Sequence, residues 1–169
     1  MRELRKLLNT QRVAALGTID DAGDPFVSMV PFALEPQLTC VVIHVSGLAA
    51  HTRYLQARER VSLMVMQSEV PGEPVHALPR VALDGVAEVV QRGSPQWTAC
   101  RASYLARFSE AEPMTELGDF KFIAIKVTGA RQVAGFGAAR SLDEDEIRVV
   151  LGQSEQPVGG QEVECDISS

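Results

Sequence analysis

Histidine and cysteine are scarce in this chain of 169 residues, which carries three of each. The cysteines Cys40, Cys100 and Cys165 are odd in number, far apart in the sequence and without a CxxC pair or a histidine cluster. A disulfide framework and a metal site are therefore not indicated. We interpret the three cysteines as free thiols.

Long hydrophobic runs and an excess of positive charge are also missing. The longest apolar runs, such as residues 41–43 and 63–66, are far shorter than a bilayer-spanning helix, and the charged N-terminal segment has no signal-peptide core. We therefore expect a cytoplasmic protein without a membrane segment. The formal net charge is −6 and no basic stripe interleaves with aromatic residues, so nucleic acid is not an expected partner.

Several motifs of common catalytic and nucleotide-binding sites are absent as well. The sequence contains no GxGxxG after a strand, no GxxxxGK[ST], no HExxH and no GxSxG. The carboxylates at 143–146 form a solvated run, and no isolated pair suits general acid and base catalysis. The residues alone therefore indicate no catalytic side chain.

What is present predicts a mainly β chain. We predict helices over residues 2–10, 46–58 and 94–108, and strands over residues 12–19, 26–34, 38–45, 61–67, 80–90, 120–128 and 131–136. Gly85 suggests a bulge that bends its strand. About six or seven short strands with tight turns favour an antiparallel barrel. We place one domain at residues 1–147 and a partly ordered acidic tail at 148–169.

The segment SGLAAHTRYL, residues 46–55, is typical of an anion-binding site. Ser46 is predicted to cap a helix whose first residues are small, so that its free backbone N–H groups stay accessible to a phosphate. His51, Thr52 and Arg53 add an imidazole, a hydroxyl and a cation, although a cation near a helix N-terminus is normally unfavourable by about 0.3–1 kcal/mol. An alternative stays open, in which Ser46 is only a cap and His51 and Arg53 are solvated.

Four segments follow one another along the chain: GDPFVSMVPF, SGLAAHTRYLQARERVSLMVM, PRVALDGVAEVV and DFKFIAIKVTGARQVAGFGAARSL. In this order they resemble the FMN-binding split barrel of the pyridoxamine 5'-phosphate oxidase-like superfamily, most closely its HugZ-type haem-utilisation branch. The resemblance covers about residues 5–147, and its most specific pieces are S-x-LA-x-HT and GFG-x-A.

The resemblance implies a homodimer with FMN in a cleft between the two chains. It implies flavin-ring contacts from the strand that begins near Ser28, a phosphate site in the segment 46–55, and flanking contacts from later segments, in part from the partner chain. The residues so implied are Ser28, Met29, Val30 and Pro31 for the ring; Ser46, the Leu48 amide, His51, Thr52 and Arg53 for the phosphate; and Arg80, Phe136 and Gly137 as flanking contacts.

Departures from the family pattern narrow the function. The RLHDR-type signature that holds the substrate phosphate in the oxidases is replaced here by GFGAARSL. The arginine and lysine that bind the FMN phosphate in the oxidases are replaced by Ala50 and His51. We therefore do not expect vitamin B6 oxidation. No histidine follows His76, whereas the haem-utilisation branch uses a C-terminal one, so we expect haem to bind loosely and without turnover.

We accordingly predict an FMN-dependent oxidoreductase that acts on a small-molecule substrate or electron donor. Because the flavin performs the redox chemistry, such a protein needs no catalytic side chain of its own. The alternative is a non-catalytic flavin- or haem-binding protein for storage, sensing or scavenging. His44, in a predicted strand, and His76, in a predicted loop, are interpreted as structural or solvated.

Overall fold

The structure, a computed structural model, describes residues 1–152 of the chain. These residues form eight β-strands and five α-helices, with short 3-10 turns at Val75–Ala77 and Ser109–Ala111. In chain order they are α1 (Arg2–Thr10), β1 (Val13–Ile19), β2 (Pro25–Pro31), β3 (Ala33–Glu35), β4 (Cys40–Ser46), α2 (Ala50–Ala57), β5 (Arg60–Met66), β6 (Arg80–Val89), α3 (Pro95–Arg107), α4 (Glu112–Thr115), β7 (Phe120–Val133), β8 (Ala139–Leu142) and α5 (Glu144–Gly152).

All eight strands belong to one curled antiparallel sheet. Its order is β2-β1-β5-β6-β7-β4-β3, and β8 pairs with β7 beside this path. The prediction of a mainly β, antiparallel fold is confirmed. The predicted number of six or seven strands is too low.

Two differences account for the strand count. The predicted strand 26–34 divides at Phe32, because β2 pairs with β1 whereas β3 pairs with β4. Pro31, which has no N–H to donate, ends β2 at this division. The predicted strands 120–128 and 131–136 instead form one long strand, β7, followed by β8.

The bulge predicted at Gly85 is confirmed. The pairing of β6 with β7 shifts register between Asp84 and Gly85. A Cβ at Gly85 would lie 2.7 Å from Ile125 Cγ2 and 2.8 Å from the Lys126 carbonyl oxygen. Only glycine lets the two backbones approach so closely at the bend.

The sheet has a main core on its inner face and a second core on its outer face. The main core joins alternate side chains of the strands to α1, α2 and α5. The second core lies between α3 and the outer face of β3, β4 and β7. Its buried members are Ala33, Cys40, Val42, Val90, Cys100, Tyr104, Phe108, Ala111, Phe122 and Ala124.

Helix α3 begins as its sequence predicts. Ser94 Oγ accepts a hydrogen bond of 3.1 Å from the Trp97 N–H, and Pro95 occupies the first helical position. At its other end Arg107 reaches the C-terminus of α1. Its Nη2 donates to the carbonyl oxygens of Leu8, Asn9 and Gln11 at 2.9, 2.6 and 2.6 Å. This arginine therefore satisfies carbonyls that α1 leaves without helical partners.

Helix α5 crosses the predicted domain boundary at 147/148. Val150 and Leu151 are buried in the main core with Ile147. Residues 153–169, the rest of the predicted tail, lie outside the described residues. No helix within residues 1–152 is long and apolar enough to cross a bilayer.

Candidate functional site

The structure joins the predicted ring-contact strand to the predicted phosphate helix through one hydrogen bond. Ser28, in the middle of β2, faces the inner side of the sheet opposite Leu16 and next to α2. Its Oγ lies 2.9 Å from Nδ1 of His51, the second residue of α2. Residues 23 positions apart in the sequence therefore share one contact at the junction of β2 and α2.

The surroundings of His51 favour its neutral imidazole form. Burial lowers its pKa below the usual value for histidine. A neutral ring has one donor and one acceptor nitrogen. Because Nδ1 bonds to Ser28, Nε2 carries the remaining capacity for a ligand.

The helix α2 does not begin with Ser46 as its cap, so that prediction is wrong. Ser46 ends β4, and its Oγ accepts the Leu48 N–H at 3.2 Å, whereas Ala49 is the N-cap. The Gly47 N–H donates to the Asp119 carbonyl at 2.6 Å, which holds the chain against the turn before β7. A Cβ at Gly47 would lie 2.9 Å from that oxygen, so this contact also requires glycine. The chain therefore makes a tight turn before the helix starts.

Two of the groups predicted to bind the phosphate already have hydrogen-bond partners inside the protein. Thr52 is fully buried, and its Oγ1 donates to the Ser46 carbonyl at 2.6 Å. The Leu48 amide donates to Ser46 Oγ. Thr52 and Ser46 thus stabilise the turn, while the N–H groups of Ala50 and His51 occupy the first two helical positions, which have no intrahelical acceptor.

Arg53 pairs with a carboxylate of the β1–β2 turn. Its Nη2 and Nε lie 3.0 and 3.2 Å from Oδ2 of Asp21, and its side chain is 61% exposed. The hydrogen bond to Asp21 raises the pKa of Arg53, so the cation is stabilised in place. Asp20 orders this turn by accepting the N–H groups of Ala22 and Asp24 at 2.9 and 2.8 Å. An anion at α2 would compete with Asp21 for Arg53.

Strand alternation divides the other predicted ring contacts between two faces. Val30 is buried in the main core, so its backbone is the part that can meet a ligand. Met29 and Pro31 face outward, and Met29 is 63% exposed. They share the outer face with Val27.

Arg80, Phe136 and Gly137 belong to the same end of the β6–β7 pairing, away from β2 in the sheet. Arg80 begins β6 and pairs with Val133, which the 134–138 turn follows, and Phe136 and Gly137 belong to that turn. Strands β1 and β5 separate β6 from β2. Arg80 donates to the Leu78 carbonyl at 3.0 Å, and Phe136 is exposed. One chain therefore presents two groups of predicted site residues.

An apolar surface covers the outer face of β1, β2 and β5. We call it the outer patch, and its exposed members are Val13, Val27, Met29, Met64 and Met66. Beside it is a cavity of about 560 Å³ whose polar lining includes Arg60, Ser62, Asp84 and Thr128. The Ser62 hydroxyl donates to the Asp84 carboxylate. Sequence reasoning missed these four residues because they form no motif and meet only through strand pairing.

The other two histidines are separate from this junction. His44 lies in the second core among Tyr104, Phe120 and Phe122, with its ring centroid 4.4 Å from that of Phe122. Burial, with a smaller effect of Arg92, lowers its pKa to about 4. His76 is exposed in the 75–77 turn. Among residues 1–152, no group of three or more His, Cys, Asp or Glu side chains is arranged for a metal ion.

Comparison with known families identifies the relatives of this fold. Residues 1–134 match the family described as Pyridoxamine 5'-phosphate oxidase. The chain belongs to this family. The resemblance expected from the sequence segments is thereby confirmed.

Two curated relatives of this family member have names that refer to haem. It is 30% identical over 146 residues to heme oxygenase HutZ of Vibrio cholerae, a match that covers 86% of this chain and 82% of HutZ. It is also 30% identical to the non-canonical heme oxygenase HOZ, chloroplastic, of Arabidopsis thaliana, over 82% of this chain and 41% of that protein.

Solved structures agree on the split-barrel fold. A heme binding protein from Mycobacterium smegmatis superposes with a TM-score of 0.79 at 28% identity, covering 87% of this chain and 59% of that chain. A structure of HutZ, described as a heme storage protein, superposes with a TM-score of 0.67 at 28% identity over 73% of this chain and 87% of that one. This chain thus spans little more than half of the mycobacterial protein.

Proposed function

We propose that this family member binds FMN at the junction of β2 and α2 and serves as a flavin-dependent oxidoreductase. The observation that carries the proposal is the Ser28–His51 hydrogen bond, because it joins the strand and the helix that the family resemblance assigns to the flavin ring and phosphate. The substrate class is a small molecule or an electron donor. A cytoplasmic location stays a prediction.

The donor set at the junction fits the phosphate of FMN. The N–H groups of Ala50 and His51 open α2, where the helix dipole favours an anion. His51 Nε2 and the Arg53 guanidinium are the side-chain groups nearest in sequence to these N–H groups. Thr52 and Ser46 hold the turn in place and are not direct phosphate ligands in this proposal.

The roles of the protein in this proposal are to bind, orient and shield. FMN would supply hydride or electron transfer when bound. Ser28 fixes the rotamer of the His51 ring, and the β2 backbone beside Val30 offers hydrogen-bonding groups along its length. Asp21 supplies a counter-charge to Arg53, and a bound phosphate would take over that role.

We further propose that two chains form a homodimer through the outer patch. Exposed methionine and valine side chains on three adjacent strands are an unfavourable surface for a monomer in water. A partner on this face would approach Met29 and could bring its own Phe136 and Gly137 to the first chain's junction. Light scattering with Met64→Glu as the test variant and Val149→Glu, an exposed position on α5, as its control examines this. A wild-type monomer that binds FMN tightly would contradict a shared site.

Comparative titration tests the phosphate assignment. The wild-type protein should bind FMN more tightly than riboflavin, since only FMN carries the charge that the α2 N-terminus attracts. Purification without added ligand and a visible spectrum provides a first measurement. Equal affinity for FMN and riboflavin, or no flavin binding at all, would contradict the proposal.

Haem binding is the second candidate function, favoured by the names of the relatives. This chain offers three histidines for iron within the described residues, and two are already engaged: His44 in aromatic packing and His51 with Ser28. His76 is the exposed one. We expect weak haem binding that His76→Ala removes. When the protein is incubated with haem and a reductant in air, with catalase present, the Soret band of haem should decay no faster than in a control without protein. Catalytic loss of that band, abolished by His76→Ala, would favour haem degradation instead.

A further inference from the structure

Two of the three cysteines, distant in the sequence, meet in the second core. Cys40 is the first residue of β4, on the face of that strand that α3 covers together with Val42. Cys100 lies in α3, one turn before Tyr104 and two turns before Phe108, so all three point toward the sheet. Cys40 is 4% exposed and Cys100 is 0% exposed.

The two thiols interact directly. Their side chains form a hydrogen bond, which raises the pKa of Cys40 together with burial. The same bond, with Cys40 as donor, lowers the pKa of Cys100. Within this pair Cys100 is therefore the sulfur that ionises first, and Cys40 retains its proton.

A neighbouring carboxylate acts on both sulfurs. Glu35 is opposite Cys40 in the β3–β4 pairing, is buried, and accepts the Leu38 N–H at 2.5 Å. Its charge disfavours a thiolate at either cysteine. Both cysteines are free thiols in the structure.

We propose that Cys40 and Cys100 are a redox-active pair, which a peroxide converts into a disulfide between β4 and α3. The Cys100 sulfur attacks one peroxide oxygen and the O–O bond breaks, giving a sulfenic acid and releasing water or an alcohol that carries the thiol proton. The Cys40 sulfur then attacks the Cys100 sulfur, and the sulfenic oxygen leaves as a second water with the Cys40 proton. Two electrons pass from the two sulfurs to the peroxide, so the thiols are oxidised and the peroxide is reduced in equal measure.

Burial determines how this reaction proceeds. A peroxide reaches Cys100 only when α3 opens locally, because the helix and the sheet enclose both sulfurs. The reaction is therefore slow and limited by opening of the helix. Once formed, the bond crosslinks the helix to the strand that it covers and removes freedom from the unfolded chain.

Peptide mapping of the full chain tests the proposal. After hydrogen peroxide treatment, we expect an intact mass lower by about 2 Da and a melting temperature higher by roughly 4–12 °C. Alkylation and digestion of the oxidised chain should then give one intramolecular Cys40–Cys100 crosslink. Dithiothreitol should reverse all three. Concentrations of urea below the unfolding transition should accelerate the reaction if opening of α3 limits it.

Matched variants separate this pair from the third thiol. Cys165→Ser should retain the crosslink, and Cys40→Ser and Cys100→Ser should lose it. A wild-type map in which the crosslink involves Cys165, or in which both buried thiols stay reduced while the urea-unfolded chain is oxidised, would overturn the proposal. The wild-type map decides between these outcomes even where a serine variant does not fold.

Discussion

The outer face of the sheet has a covered half and a bare half. Under α3, β4 is buried on both faces, and CVVIHV is apolar except for His44. On β2 the same outer face is open, and Val27 and Met29 are 68% and 63% exposed. The two halves have similar apolar character, but only the half at β4 is covered by a helix. The burial of β4 is therefore completed by residues of the same chain, whereas the outer face of β2 is left exposed as a surface that a ligand or a partner can use.

The largest effect should come from removing an aromatic side chain of the covered half. Phe122 is buried and packs against His44, Trp97 and Tyr104. Phe122→Ala should lower the free energy of unfolding by about 3–5 kcal/mol, since it leaves a cavity under α3. Urea denaturation measures this loss.

The matched control for Phe122→Ala is Met29→Ala on the bare half. At protein concentrations low enough to keep the chain monomeric, Met29→Ala should change the free energy of unfolding by less than about 0.5 kcal/mol, because the Met29 side chain is exposed. Equal losses in the two variants would show that the outer patch is covered in solution. The outer face of β2 would then be buried in solution as the outer face of β4 is.

A second large effect is expected where α3 is joined to α1. Arg107 donates to four backbone carbonyls, those of Leu8, Asn9, Gln11 and Phe32. Arg107→Ala should cost about 2–4 kcal/mol, because charge-assisted hydrogen bonds are lost and partly buried carbonyls lose their donor. Thermal unfolding measures it, and Arg148→Ala on exposed α5 is the control. Arg107→Lys should restore only part of the loss, since an ammonium cannot imitate the guanidinium fork.

The pH dependence of stability should report on the covered half through His44. Its folded-state pKa of about 4 lies below the ordinary value, so the unfolded chain binds the proton first as the pH falls. His44 therefore allows full stability above about pH 6.5, and stability should decrease between about pH 6.5 and 4, by less than about 3 kcal/mol. His44→Phe should reduce this slope. An unchanged slope would mean that the pKa of His44 is the same in the folded and the unfolded protein.

The smallest of these effects concerns the site beside the bare half. Arg53→Ala should weaken FMN binding by roughly 1.5–3 kcal/mol and change riboflavin affinity little, because only FMN carries the phosphate. Asp21→Asn should act in the opposite direction by less than about 1 kcal/mol, since it frees Arg53 from an exposed ion pair. Isothermal titration of both flavins measures the differences, and Asp24→Asn in the same turn is the control. Equal losses for FMN and riboflavin with Arg53→Ala would place this cation away from the phosphate.

The features that local chemistry determines could be predicted from the sequence. The start of α3 follows from Ser94 and Pro95, and the bend in β6 follows from Gly85 within an apolar strand. The family resemblance rests on local motifs too, and comparison confirmed it. The fold class was accordingly predictable.

The features that depend on tertiary contacts could not be predicted in this way. Ser46 has the composition of a cap, but the contact of Gly47 with Asp119 moves the helix start to Ala50. The pairing of Arg53 with Asp21 and the meeting of Cys40 with Cys100 depend on strand order and helix packing, which leave no pattern in the sequence. The candidate site was therefore predicted by residue type, and its internal partners were not.

The position of β7 in the sheet has a consequence for synthesis on the ribosome. This strand pairs with β4, β6 and β8, yet it begins only at Phe120. While the nascent chain is shorter, β4 and β6 each lack a neighbour and present open hydrogen-bonding edges. Such edges attract other chains, and translation pauses ahead of β7 would prolong that exposure. Release of this single strand from the exit tunnel thus closes two vulnerable edges at once.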